Sequence, residues 1–464
     1  MKKYGLLWLL WLGCSVLSAQ VPDSLAEKVD ALMQQWDRRD SPGAAIGVVY
    51  RGELIFAKGY GQANLDYGIP LTPQSAFYIP STTKQFTAAC IALLAQEGKL
   101  DLDDDVRRFL PEFPDYGDTV TIRHLVHHTS GVRDYLGMMW LAGKNYQDQF
   151  DNASALALIC RQEALSFTPG SRYSYSNSGY VMLAEIIARA SGQSARSYAQ
   201  EHIFGPLGME HTFFNDDHNR VIPNRVISYQ PDAEYGFKRL VQNFDAFGDG
   251  NLISTVEDFY QWDQNFYSGK VGGPAFLQLM HQRGVLTNGD TLDYAFGLQH
   301  GQYKGRATIA HGGSMLGFRT QLLRFPGEAF SVIVLANLAG FNPNRIAYQI
   351  ADLFFPGAVD QPANPTRPVA EVEPPLSLPT DQLTAYAGRF YSRELDAWYT
   401  LHTEENKLFL VVGQRDPLEV QLLDKTTLRV PVFRMHGTLS EEGELIRFTL
   451  ETGRASGILF IRDK

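Results

Sequence analysis

Apolar positions recur every three or four residues over 23–40 (Leu25, Val29, Leu32, Met33, Trp36), predicting a helix that Ser41-Pro42-Gly43 stops. Apolar runs at 44–50 and 54–59 flank Arg51-Gly52-Glu53 and predict a hairpin of two strands. A loop is expected over 61–74, then a helix that begins at Ser81 and is closed by Gly98. From 101 to 214 the spacing is mostly helical, at 106–110, 122–127, 153–160, 180–190 and 195–203. Pro169-Gly170 and Gly205-Pro206-Leu207-Gly208 interrupt it. A helix at 256–266 follows, and strand-like runs return at 294–298, 307–310, 318–325 and 330–336 before a last helix at 344–355. Strands at both ends with helices between them predict an α/β (α+β) domain, a sheet flanked by helices and carrying a helical insert.

The pattern then changes. Residues 356–380 hold Pro362, Pro365, Pro368, Pro374 and Pro375 and read as a semi-rigid linker. Beyond it, short alternating runs at 398–403, 408–412, 419–423, 427–430, 445–450 and 457–461 predict an antiparallel barrel or sandwich. At the other end, Lys2 and Lys3 precede an apolar stretch and the small residues Ser18-Ala19, the form of a signal peptide. The expected organisation is a signal peptide (1–19), a main domain (20–355), the linker (356–380) and an all-β domain (381–464). Trp11-Leu12-Gly13-Cys14 is the alternative end, a lipid anchor at Cys14. The expected location is periplasmic or secreted, with no transmembrane segment in the mature chain.

Composition narrows the function. The chain of 464 residues has a formal net charge of −10 and 44 % hydrophobic residues. It has no basic stripe of the kind nucleic acid requires. Without Cys14, only Cys90 and Cys160 remain, too few for a disulfide framework. His124, His127 and His128 lack the glutamate of a metalloprotease motif, and Asp103-Asp104-Asp105 lacks calcium-loop spacing. Both groups are expected to be structural, and no metal site is expected.

Three segments carry chemistry. Ser81-x-x-Lys84 opens a helix, and residues three apart share a helix face. Alone, it is also what a serine cap looks like. In the loop Phe167 to Gly179, the alternate residues Tyr175 and Asn177 point one way. A phenol there could pass a proton, and an amide could bond a lysine and a substrate carbonyl together. In Thr308-Ile309-Ala310-His311-Gly312-Gly313-Ser314 a strand runs into two glycines, which permit close backbone approach. If that strand is an edge, a peptide-like substrate could pair along it.

Together, Ser81-x-x-Lys84, Tyr175-Ser176-Asn177 and His311-Gly312-Gly313 resemble, in order and spacing, the serine β-lactamase-like hydrolases: class C β-lactamases, DD-carboxypeptidases, D-aminopeptidases and related esterases. The segments 121–131, 167–170, 203–209 and 250–255 extend the resemblance over 23–355. The all-β end resembles the lipocalin-like domains of some such peptidases. The resemblance implies a β-lactamase/transpeptidase-like fold and an acyl-enzyme on Ser81, with Lys84 and Tyr175 sharing the general-base role. Asn177 would orient Lys84 and substrate, the N–H groups of Ser81 and Ser314 would hold the oxyanion, and His311, Gly312 and Gly313 would line the substrate strand. It implies no cofactor.

The family's usual Lys-Thr-Gly is here His311-Gly312-Gly313, which trades a fixed cation for a mostly neutral ring. Expectation therefore moves from β-lactams towards a peptide, D-amino-acid amide or ester, including peptidoglycan-derived ones. The alternatives are a class C-like β-lactamase, a carboxylesterase, or a penicillin-binding sensor that acylates without turnover.

Overall fold

The structure, a computed structural model, describes residues 23–355, 375–376 and 378–463. The expected signal peptide with Cys14, and most of the proline-rich 356–380 stretch, lie outside the described residues.

The first part is built on a six-stranded antiparallel sheet. Its strands are β1 (Ala44–Tyr50), β2 (Glu53–Tyr60), β3 (Gln299–Tyr303), β4 (Arg306–Met315), β5 (Phe318–Phe325) and β6 (Phe330–Ala336). They lie in the order β3-β4-β5-β6-β1-β2. β1 is an inner strand, paired with β2 on one side and with β6 on the other, Ala44 opposite Ala336. Because successive side chains alternate across a strand, β1 feeds two cores. Ala44, Ile46 and Val48 pack under the helices α1 (Asp23–Met33) and Pro343–Phe354, while Ala45 and Val49 face the main helical cluster.

Within that cluster, α2 (Lys84–Gln96) packs against α3 (Asn177–Ser191). α2 is apolar nearly all round, the pattern of a helix surrounded by protein, and everything from Lys84 to Ala92 is buried. Lys84 is inside because its helix is.

The second part is a closed antiparallel barrel. Its strands are β7 (Gly388–Ser392), β8 (Ala397–Glu404), β9 (Lys407–Val412), β10 (Leu418–Leu422), β11 (Thr427–Val430), β12 (Phe433–Leu439), β13 (Leu445–Glu451) and β14 (Ser456–Arg462). Side chains fill its interior, with Tyr399 and Phe460 rings 4.2 Å apart and Phe448 5.1 Å from Phe460.

The barrel lies against the first part. Buried Arg133 donates to Gln162 Oε1 (2.9 Å), to Ser456 O (2.9 Å) and to the Glu394 carboxylate. Glu394 also accepts from the N–H groups of Glu163 (3.0 Å) and Leu459 (3.1 Å). Tyr399 donates to Leu141 O at 2.9 Å.

Several elements depart from the periodicity. The first helix stops at Met33, and Trp36 leaves it to pack on Phe341 at 4.6 Å. Residues 294–298 form no strand, because Tyr294 turns inward and the strand begins at Gln299. β4 does not end at its glycines but runs through them to Met315. The barrel has two strands beyond the six expected, Gly388–Ser392 and Phe433–Leu439. The loop at 61–74 contains two short paired strands, Gln62–Asn64 and Ile69–Pro70. Asp103, Asp104 and Asp105 are each paired, with Arg123, Arg108 and Arg107.

Candidate active site

The strand Phe77–Ile79 leads through Pro80 into one 3-10 turn, Ser81–Thr83, and then into α2. Thr83 Oγ1 donates to Ile79 O at 2.7 Å, and Thr82 Oγ1 lies 2.8 Å from Thr320 Oγ1, which ties the turn to β5. One turn on, Lys84 Nζ reaches three acceptors: Ser81 Oγ (3.3 Å), Asn177 Oδ1 (2.8 Å) and Asp249 O (2.7 Å). An ammonium has three protons, so the charged form is fully partnered; the neutral amine has a lone pair to turn towards Ser81. Burial pushes the Lys84 pKa down to about 8, against the opposing charges of Asp249 and Asp134. Burial also raises Asp249, with Lys84 holding it down.

Asn177 opens α3, and Asp134 sets its amide. The Asp134 carboxylate accepts from Asn177 N (2.7 Å) and Nδ2 (2.8 Å), leaving Oδ1 to face Lys84. Tyr135 holds the Asp249 carboxylate at 3.2 and 3.3 Å.

Tyr175 lies in the loop before α3. Lys84 Nζ is 4.8 Å from its ring centroid, and the His128 ring packs 4.2 Å away. The phenol oxygen is buried without a well-formed hydrogen bond. Burial raises its pKa, and nearby Ser81 works the other way. His128 accepts from Ser176 N–H at 3.1 Å, and the two ring nitrogens of His127 lie 3.1 and 3.0 Å from the carbonyl oxygens of Arg123 and Gln282, its single N–H donating to one of them. Among the described residues, no group of three or more His, Cys, Asp or Glu could hold a metal ion.

β3 begins only at Gln299, opposite Ala310, so within the sheet His311–Met315 pair only with β5 and their other edge faces the cleft. A Cβ at Gly313 would lie 2.8 Å from Ser81 N and 2.6 Å from Thr320 Oγ1, so only glycine lets β4 come this close to the serine. His311 is buried, and its pKa is pushed down to about 4 by burial and by Lys84. Its Nδ1 lies 2.7 Å from Gly312 O, and a carbonyl only accepts, so Nδ1 carries the proton. Nε2 then accepts from Tyr294 O–H at 3.0 Å. Both nitrogens are spent on the protein.

Ser81, Tyr175, Asn177, His311, Gly312, Gly313 and Ser314 all border one cleft of about 960 Å³, with Lys84 beneath it. Arg454, from the barrel turn between β13 and β14, borders the same cleft.

Residues 25–353 match the beta-lactamase family. The chain belongs to that family. A D-aminopeptidase of Gluconobacter oxydans is 29 % identical over 373 residues, which cover 80 % of this chain and 67 % of the relative. A penicillin-binding protein of Bacillus subtilis is 33 % identical over 304 residues, 62 % of this chain and 66 % of the relative. The chain thus spans about two thirds of the length of these curated relatives. In structure it is similar to an octameric penicillin-binding protein homologue from Pyrococcus abyssi. The TM-score is 0.64 at 23 % identity, covering 94 % of this chain and 99 % of that one. This beta-lactamase-family protein is a hydrolase by kinship. No helix among its described residues is long and apolar enough to cross a membrane.

Sequence reasoning did not single out Asp134, Asp249, Tyr294 or Arg454 as site residues. Asp249 lies between two glycines, Gly248 and Gly250, with no local signature of a site. Asp134 follows the Gly131 loop with no local signature beyond an N-cap position.

Proposed function

We propose that the protein is an exported serine hydrolase that forms an acyl-enzyme on Ser81 and cleaves a peptide, a D-amino-acid amide or an ester. The observation that carries this reading is Lys84, a buried amine at 3.3 Å from Ser81 Oγ, oriented by Asn177 and shifted towards its neutral form.

Neutral Lys84 takes the Ser81 hydroxyl proton as Oγ bonds the carbonyl carbon, and the carbonyl π pair moves onto oxygen. The N–H groups of Ser81 and Ser314 hold that oxyanion. Collapse expels the amine or alcohol, which takes a proton from Lys84 directly or through Tyr175. A phenol whose pKa is raised remains a proton donor, so the opposite shifts of Lys84 and Tyr175 favour lysine as base and tyrosine as relay. Water repeats the attack on the acyl-enzyme and releases the acid. The kinship with D-aminopeptidases supports the substrate class, and the cleft edge of β4 suits an extended, peptide-like substrate.

A fluorophosphonate probe with mass mapping tests the nucleophile. Label is expected on Ser81 and absent in Ser81→Ala; label on another residue, or label that persists in that variant, removes the mechanism. Turnover of nitrocefin far above D-alanyl amides and p-nitrophenyl esters would favour the β-lactamase alternative. N-terminal mass spectrometry of the exported protein distinguishes cleavage after Ala19 from a lipid on Cys14.

A further inference from the structure

We infer that Arg454, carried into the cleft by the barrel, is the residue that binds a carboxylate on the substrate. This rests on the hydrolase reading above and narrows its substrate class to acyl compounds bearing a free carboxylate near the scissile bond.

The turn that presents Arg454 is rigidly built. Thr452 Oγ1 donates to Ala455 O at 2.7 Å and accepts from the N–H groups of Ala455 (2.8 Å) and Arg454 (3.3 Å). Ser456 Oγ donates to Thr452 O at 2.9 Å. Arg454 O accepts at 3.0 Å from the N–H of Asp134, the aspartate whose carboxylate orients Asn177. The guanidinium lies 5.0 Å from the Tyr175 ring centroid, on the floor that also carries Lys84. The backbone is therefore fixed against the site while the side chain is exposed, with no carboxylate paired to it among the described residues.

The other charges of the cleft are committed. Asp134 is held by Asn177, Asp249 by Tyr135, and Lys84 by three acceptors. His311 is neutral with both nitrogens in use. Arg319 also borders the cleft, but its Nη1 donates to Leu316 O (2.8 Å) and Phe318 O (2.7 Å) in its own turn. The cleft thus presents, in Arg454, an exposed cation that no carboxylate pairs among the described residues, which suits a carboxylate on the substrate. A guanidinium meets a carboxylate with two parallel N–H···O bonds, and it supplies from a second module the fixed charge that His311 lacks.

The test uses two esters, phenylacetyl-glycyl-lactate and phenylacetyl-glycyl-lactamide, which differ only in the terminal carboxylate. The full-length protein is expected to prefer the lactate ester. Arg454→Ala is expected to lower the ratio of the two kcat/KM values by about ten- to hundredfold, mostly through KM of the lactate ester, and Arg454→Glu to reverse the preference. Equal losses on both esters would make Arg454 merely structural and overturn the proposal. So would an initial preference for the lactamide, or a ratio that collapses in Arg319→Ala and not in Arg454→Ala. If wild type hydrolyses neither ester and Ser81 takes no fluorophosphonate, the hydrolase reading itself falls. Ester turnover without carboxylate preference overturns this inference alone.

Discussion

The buried position of Lys84 makes the rate of acylation a function of pH in a range where a solvated lysine would be silent. With the pKa held near 8, about a tenth of the molecules carry a neutral amine at pH 7 and about nine-tenths at pH 9. If that amine is the base, the second-order rate of Ser81 labelling by a small neutral fluorophosphonate rises about tenfold over those two units and then levels. The sign follows from the group: a base works in its deprotonated form, so activity is gained as pH rises. Tyr175 contributes no inflection here, because burial raises it out of the range. Lys84→Arg keeps the charge at every pH, and should abolish the rise and slow labelling by about 10²- to 10⁴-fold. Arg454→Ala removes a cation that helps depress Lys84 and should move the inflection upward. The assay is stopped-time labelling from pH 6 to 10, read by mass spectrometry. A flat profile, or a rate still climbing tenfold per pH unit beyond 9, would refute the reasoning.

Two further outcomes concern the scaffold. Gly313→Ala forces a methyl against the Ser81 amide and should cost about 1–3 kcal/mol in denaturant unfolding as well as slowing labelling. Gly312→Ala, whose methyl presses closely only on the Gln321 side-chain amide and meets the Thr320 carbonyl at an ordinary 3.4 Å, should do less on both counts. Arg133→Met leaves the Glu394 carboxylate buried without its cation and should destabilise by about 3–5 kcal/mol, with only part of the loss recovered on adding Glu394→Leu, which removes the bare charge but leaves the Glu163 and Leu459 N–H groups without their acceptor. Recovery absent from the double variant would mean that the pair is not mutually compensating.

Much of this site is local and so was open to sequence. Ser81 and Lys84 meet because residues three apart share a helix face. The inner strands of the sheet announce themselves as short continuous apolar runs, and Tyr175 and Asn177 are near neighbours in sequence, although Asn177 is the first residue of α3 and not part of the loop. His311 reads as neutral from its intrinsic chemistry, which burial only strengthens. What sequence could not supply were partners set by long-range packing. Asp134 orients Asn177 across the fold, Asp249 arrives from a distant loop, and both look ordinary in their own neighbourhoods. The two further barrel strands, Gly388–Ser392 and Phe433–Leu439, are poor in apolar residues, and in the second the alternation stops at Gly437. Whether the barrel stood clear of the cleft or over it was undetermined by the linker, since composition sets stiffness but not docking. The Arg133–Glu394 pair docks the barrel on the first part, and Arg454 brings the β13–β14 turn to the cleft.

The pairing of β1 with β6 has a consequence for how the protein is made. Ala44 must wait for Ala336, so a chain emerging from its N-terminal end carries the apolar run Ala44–Tyr50 with one ladder edge open through most of synthesis. Such distant pairing is slow to form, and an open apolar edge invites association between chains. Until Phe330–Ala336 has been made, the unfinished chain is therefore expected to need a chaperone on that edge. A chain interrupted before Phe330 would present that strand as a handle for degradation.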